Sequence, residues 1–144
     1  MFDPRARLSA LWIFAMANYL YCDIVGLMDA GQLRQYLTGT VNGMVMSQGF
    51  LLGASVLMEI PAAMIVASRV LPHRTNRWAN VAAGAVMTLV QAATLLVGAP
   101  SPYYLFFSVV EIGATMAVIA VAWSWRPEGA GSPAAVPGAA EAAR

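Results

Sequence analysis

The sequence predicts an all-α membrane protein: a four-transmembrane-helix antiparallel bundle with both termini cytoplasmic. Three observations lead there. Hydrophobic residues make up 60% of the chain and charged ones 10%, whereas a water-soluble domain carries about 25% charged residues and needs them to coat its surface. Four apolar runs, Leu8–Met28, Gly49–Val70, Asn80–Val97 and Tyr103–Trp125, come near the roughly 20 helical residues that cross about 30 Å of hydrocarbon. The arginines are segregated: Arg5 and Arg7 precede the first run, Arg69, Arg74 and Arg77 cluster at the second connection, Arg126 follows the fourth run, and Arg34 alone falls in the first connection. By the positive-inside rule both ends then face the cytoplasm.

The first run begins after Arg7 and carries Trp12 near its inner end and Tyr19 and Tyr21 near its outer end, the placement expected of aromatic anchors at the two interfaces. Ala15-Met16-Ala17 fits the small-residue pattern of a signal-peptidase site. The apolar stretch runs on past it, and cleavage would leave the arginines on conflicting sides, so the run is read as a span. In the connection Asp29–Gln48, the side chains of Leu33, Tyr36 and Leu37 share one helical face, which suits a short helix resting on the outer interface.

Ser47 is placed to cap the second run and Pro72 to end it. Pro61 removes one backbone hydrogen bond and so predicts a kink two residues after Glu59. Thr75 or Asn76 is the expected cap of the third run. Gly98-Ala99-Pro100-Ser101-Pro102 makes a tight turn whose Ser-Pro pair suits the first positions of the fourth, so the last two runs form an antiparallel hairpin. Residues 1–126 form the membrane domain, and 127–144, almost wholly Ala, Gly, Pro, Ser and Glu, should be a disordered tail.

Composition also excludes function classes. One cysteine, Cys22, and one histidine, His73, cannot build a disulfide framework, a redox pair or a zinc site, so neither a metal nor another cofactor is expected. A net charge of +1 lacks the clustered basic face that nucleic acid requires. No phosphate loop, nucleophile elbow or HExxH motif is present.

What stands out is polarity inside the runs. Asp23, Glu59 and Glu111 interrupt three of them, and carboxylic acids in membrane helices normally face the bundle interior and serve function. At a rise of about 1.5 Å per residue, all three fall in the outer half. Asn80, Gly84, Thr88, Gln91, Thr94 and Gly98 form a polar stripe on the third run, and Asn18 lies at similar depth on the first. Small residues flank two of the acids, Ser55, Ala62, Ala63 and Ala67 about Glu59, and Ser108, Ala114 and Thr115 about Glu111, which lets neighbouring backbones approach. The candidate binding or proton-carrying set is therefore Glu59, Glu111, Asp23, Gln91 and Asn18, with Glu59 and Glu111 expected to meet directly or through Gln91. The competing reading is structural, in which the acids hydrogen-bond to Gln91 or Asn18 as interhelical glue.

The stretches LWIFAMANYLYCDIVGLMDAG (Leu11–Gly31), GFLLGASVLMEIPAAMIVASRVL (Gly49–Leu71), NRWAN (Asn76–Asn80) and YYLFFSVVEI (Tyr103–Ile112) resemble a family of small four-helix bacterial membrane proteins known as a domain of unknown function. The resemblance covers Leu8 to Arg126. It implies four helices and an integral membrane location, and it transfers no catalytic or binding role. Length and helix number are also similar to those of small multidrug-resistance transporters and DoxX-like proteins. The former use one glutamate in the first helix where this chain has Asp23, so the likeness is one of architecture.

The expected function is that of an accessory or small-molecule-binding protein with an acid-lined polar layer, in the inner or plasma membrane. The first alternative is a proton-coupled transporter of a cationic or lipophilic solute. A third is an enzyme acting on lipid with the carboxyls as general acid and base. Expected partners are the lipid bilayer, a second copy packed through Gly49 and Gly53, or a larger membrane complex, and no nucleic acid.

Overall fold

The computed structural model describes residues 3–126; the expected disordered tail, 127–144, lies outside them. The elements in chain order are α1 (Pro4–Met28), α2 (Ala30–Leu37), β1 (Thr40–Val41), β2 (Met44–Val45), α3 (Gln48–Val70), α4 (His73–Thr94) and α5 (Pro102–Ser124). Three of the helices, α1, α3 and α5, are long and apolar enough to cross a membrane. The fourth long helix, α4, has 22 residues but is diluted by its polar stripe, so the apolar length expected over Asn80–Val97 is not what defines it. It starts seven residues earlier, at His73, and stops at Thr94.

The helix ends show why. Ser47 caps α3 as expected, its Oγ accepting from the Phe50 N–H at 3.2 Å. Pro102 begins α5 behind Ser101. Asp3 caps α1 by accepting from the Arg5 N–H at 3.0 Å. At the α3–α4 corner neither Thr75 nor Asn76 is the cap, because Asn76 is already inside α4 and its side chain turns inward. Its Nδ2 donates to the Ser68 carbonyl at 2.7 Å and to that of Leu71 at 3.4 Å, satisfying carbonyls that the end of α3 leaves without helical partners. Pro72 occupies the capping position instead, and α3 continues through Pro61 as one helix.

Burial on α1 falls at Leu8, Trp12, Ala15, Tyr19, Cys22 and Gly26, an alternation of four and three that keeps one seam facing its neighbours. That seam packs along both α3 and α5, and α4 lies along α5. Pairs from Gly84 beside Thr115 through Thr88 with Thr115 to Gln91 with Ser108 and Thr94 with Tyr104 run in opposite directions along α4 and α5, so the two form the expected antiparallel hairpin. A Cβ on Gly84 would lie 2.8 Å from Ile119 Cγ1 and 3.2 Å from the Thr115 carbonyl oxygen. Glycine is what allows these helices their distance.

The arginine-bearing end is tied by a polar knot. Trp12 Nε1 donates to Asn80 Oδ1 at 2.7 Å, and Ser68 Oγ donates to the same oxygen at 3.1 Å. Asn80 Nδ2 donates to the carbonyl and Oδ1 of Asn76 at 2.9 and 2.6 Å. Trp12 is thus wholly buried and bonded, where an interfacial anchor was expected. The belt at this end is built by Trp78, Trp123 and Trp125, with the Arg77 guanidinium 5.1 Å from the Trp123 ring, His73 edge-on to Trp125 at 4.6 Å, and Trp78 edge-on to Trp123 at 6.0 Å.

Candidate functional site

At the opposite end the connection between α1 and α3 folds into a roof. Asp29 Oδ1 accepts from the N–H groups of Gly31 and Gln32 at 2.8 and 3.2 Å, which starts α2 straight after α1. The short helix expected from Leu33, Tyr36 and Leu37 is present there. A two-strand hairpin then pairs Thr40 with Val45 and Val41 with Met44 around Asn42 and Gly43, whose φ values of 47° and 80° are those demanded by a tight hairpin turn. Gln35 Oε1 accepts from the Asn42 N–H at 2.7 Å, fastening hairpin to helix. Gly98, with φ of 72°, lies against Asn42 such that an added Cβ would sit 3.2 Å from Asn42 Cγ. The roof therefore touches the α4–α5 turn.

Beneath it is a cavity of about 430 Å³, within the usual range for small-molecule sites. Cys22, Asp23 and Gly26 of α1, Asp29, Gln32, Gln35 and Tyr36 of the roof, Thr94 of α4, and Tyr103 and Tyr104 of α5 are among its walls. Two of the lining side chains are carboxylates and none is basic. Asp29 uses one oxygen to cap α2 and leaves the other uncommitted to that task.

Glu111 is the buried one of the three candidate acids. It is 1% exposed, and its Oε1 has no hydrogen-bond partner among the described residues. The Tyr19 hydroxyl is likewise buried and without a partner. Tyr19 and Cys22 lie on the seam of α1 that packs along α5, and Tyr104 lies about two turns before Glu111 on α5. Around it runs a chain of neutral hydrogen bonds. Gln91 Nε2 donates to Ser108 Oγ at 2.8 Å, Ser108 Oγ to the Tyr104 carbonyl at 2.8 Å, the Tyr104 hydroxyl to Thr94 Oγ1 at 2.6 Å, and Thr94 Oγ1 to the Gln91 carbonyl at 2.8 Å. A buried carboxyl and phenol left out of this network are poised to take a proton, a water or a ligand group.

Of the sequence-predicted residues, the structure brings Glu111, Gln91 and Asp23 to one end of the bundle. It leaves two outside. Asn18 is half-buried and donates to the Phe14 carbonyl of its own helix at 2.8 Å. Glu59 is exposed and does not approach Glu111, because α1 stands between α3 and α5 and the buried face of α3 is formed by Pro61, Met64 and Ser68, on the opposite side of the helix. Tyr19 was expected as an anchor, yet its hydroxyl is buried, and Cys22, which no expected site included, lines the cavity. The signal for Tyr19 is its register, since it shares the four-three seam with Leu8, Trp12 and Ala15. Among the described residues no group of His, Cys, Asp and Glu is arranged to hold a metal.

The model of a family of unknown function, DUF6326, matches residues 3–132. The chain belongs to that family. No curated protein and no solved structure matches it. Membership of DUF6326 agrees with the resemblance seen in the sequence and, like it, assigns no activity.

Proposed function

We propose that the protein is a multi-pass membrane protein that binds a small organic cation in the roofed cavity, acting as a receptor or accessory component with no chemical step of its own. The carrying observation is the 430 Å³ cavity with Asp23 and Asp29 in its walls and no basic side chain among the lining residues. A cation there meets two carboxylates in surroundings partly shielded from water, where their attraction is stronger than in solution. Tyr36, Tyr103 and Tyr104 add ring faces suited to ammonium groups.

In this reading α4 crosses as a fourth span in the inner or plasma membrane, its stripe sheltered against α5 and, at the arginine-bearing end, bonded to Trp12 of α1 and Ser68 of α3. The cavity opens on the outer side and the arginine-rich end, with both termini, faces the cytoplasm. The antiparallel pairing of α4 with α5 supports it, because a helix paired along α5 shares the depth of α5. A second reading, proton-coupled transport, is favoured by the unpartnered Glu111 carboxyl and Tyr19 hydroxyl below the cavity.

Calorimetry on the reconstituted protein tests the proposal, with tetraethylammonium as probe and benzoate as control. Tetraethylammonium should bind and benzoate should not, and Asp23→Asn should weaken the cation by about tenfold or more, as expected for a charge-assisted contact of roughly 1.5–3 kcal/mol. Equal binding of both probes, or an Asp23→Asn variant that binds as well as the wild type, would overturn it. Cation-driven proton movement in proteoliposomes that disappears in Glu111→Gln would select the transport reading.

A further inference from the structure

Glu59 poses a separate question. It lies on the exposed stripe of α3 with Leu52, Val56, Ala63, Val66 and Val70, and at about 100° per residue this stripe is diametrically opposite the buried Pro61, Met64 and Ser68. Glu59 is also the midpoint of the 23-residue helix, about 16 Å from either end, beyond the reach of interfacial water or a lipid headgroup. An ionisable side chain left against acyl chains at that depth disfavours insertion by roughly a hundredfold or more, and such residues normally face protein. Among the described residues nothing covers it.

We propose that this face of α3 docks a second copy of the chain in parallel across a two-fold axis, with Glu59 meeting its counterpart. Self-association is the occupant that the chemistry selects. A two-fold axis along the membrane normal brings each residue on that line to its own copy at equal depth, and a carboxylic acid, as donor and acceptor together, is its own complement. The flanking side chains permit it, since Ser55, Ala62 and Ala63 are small enough for two helices to approach closely. Gly49 and Gly53, the surface expected from sequence, lie about a quarter-turn or more from Glu59, and a Cβ on Gly53 would meet nothing within 4 Å. They hold no polar group that needs covering.

Two measurements decide the matter. In a Cys22→Ala background, Val56→Cys or Val66→Cys, both on the Glu59 stripe, should oxidise to disulfide-linked dimers in native membranes, while Leu89→Cys, equally exposed on α4, should not. Absence of these dimers, stronger linkage at Gly53→Cys, or linkage only to a different protein would each overturn the proposal. In detergent micelles, Glu59→Leu should raise the dimer dissociation constant roughly 3- to 30-fold, the range for losing one interhelical polar contact, and Glu59→Gln should stay close to wild type because an amide also pairs with itself. Leucine is at home on a lipid-facing surface, so the monomer should fold. A wild-type protein that is monomeric, or a Glu59→Leu variant that dimerises equally well, would refute it.

Discussion

Replacing Asn80 with alanine should be among the most destabilising single changes in the chain. The Asn80 side chain is fully buried and accepts from Trp12 Nε1 on α1 and Ser68 Oγ on α3 while donating to Asn76 Oδ1 on its own helix. Alanine removes these three bonds and the fourth, from Nδ2 to the Asn76 carbonyl, and leaves their partners without a substitute in a region that excludes water. At about 0.6–2 kcal/mol for each of the four polar bonds inside a membrane bundle, the expected loss is about 2–8 kcal/mol. Unfolding followed by far-ultraviolet circular dichroism in mixed micelles would measure it. Trp12→Phe, which deletes one donor, should cost about 0.6–2 kcal/mol, and the Trp12→Phe/Asn80→Ala cycle should show a coupling of the same size, since each change removes the other's partner. An Asn80→Ala variant within about 0.5 kcal/mol of wild type, the range of an ordinary surface substitution, would refute the view that this knot holds the arginine-bearing end together.

Gly84→Ala should cost about 1–3 kcal/mol by forcing a methyl group against Ile119 and the Thr115 backbone, while Gly53→Ala, which meets nothing within 4 Å, should leave the isolated monomer's stability unchanged; thermal denaturation of the two variants separates tight packing from a generic glycine effect. For the orientation of the bundle, a membrane-impermeant thiol reagent applied from outside should label Thr38→Cys and should reach Arg74→Cys only after the membrane is opened, and labelling of both from one side would end the four-span reading.

The sequence made some parts of this structure plain and hid others for a physical reason. Ser47 and Ser101-Pro102 announce helix starts because capping chemistry is local. Glu59 illustrates the opposite case. Ser55, Ala62 and Ala63 around it read as an interior face, yet in a bilayer the solvent is as apolar as the core, so the contrast that tells inside from outside in a soluble helix is missing. The side of α3 that packs is decided by which helix lies next to it, and that is tertiary information. Asn42-Gly43 carries a hairpin signal, but only four residues pair around it, too few to stand out from a polar connection. Asn76 looks like a cap and is one, though for the carbonyl end of α3 and not the start of its own helix.

The polar stripe of α4 bears on how the chain enters a bilayer during synthesis. If α4 crosses as proposed, then emerging alone from the ribosome it would partition into lipid poorly, because Asn76, Asn80, Thr88 and Gln91 would arrive without partners. Those partners are made at different times. Trp12 and Ser68 precede α4 in the chain and can receive Asn80 as soon as it appears, whereas Ser108 and Thr115, which take Gln91 and Thr88, are translated only afterwards. Half of the helix can thus be settled early while the other half waits at the translocon for α5. On the four-span proposal, insertion is then a cooperative event of two helices, and a nascent chain truncated before Pro102 should leave α4 stranded on the cytoplasmic side.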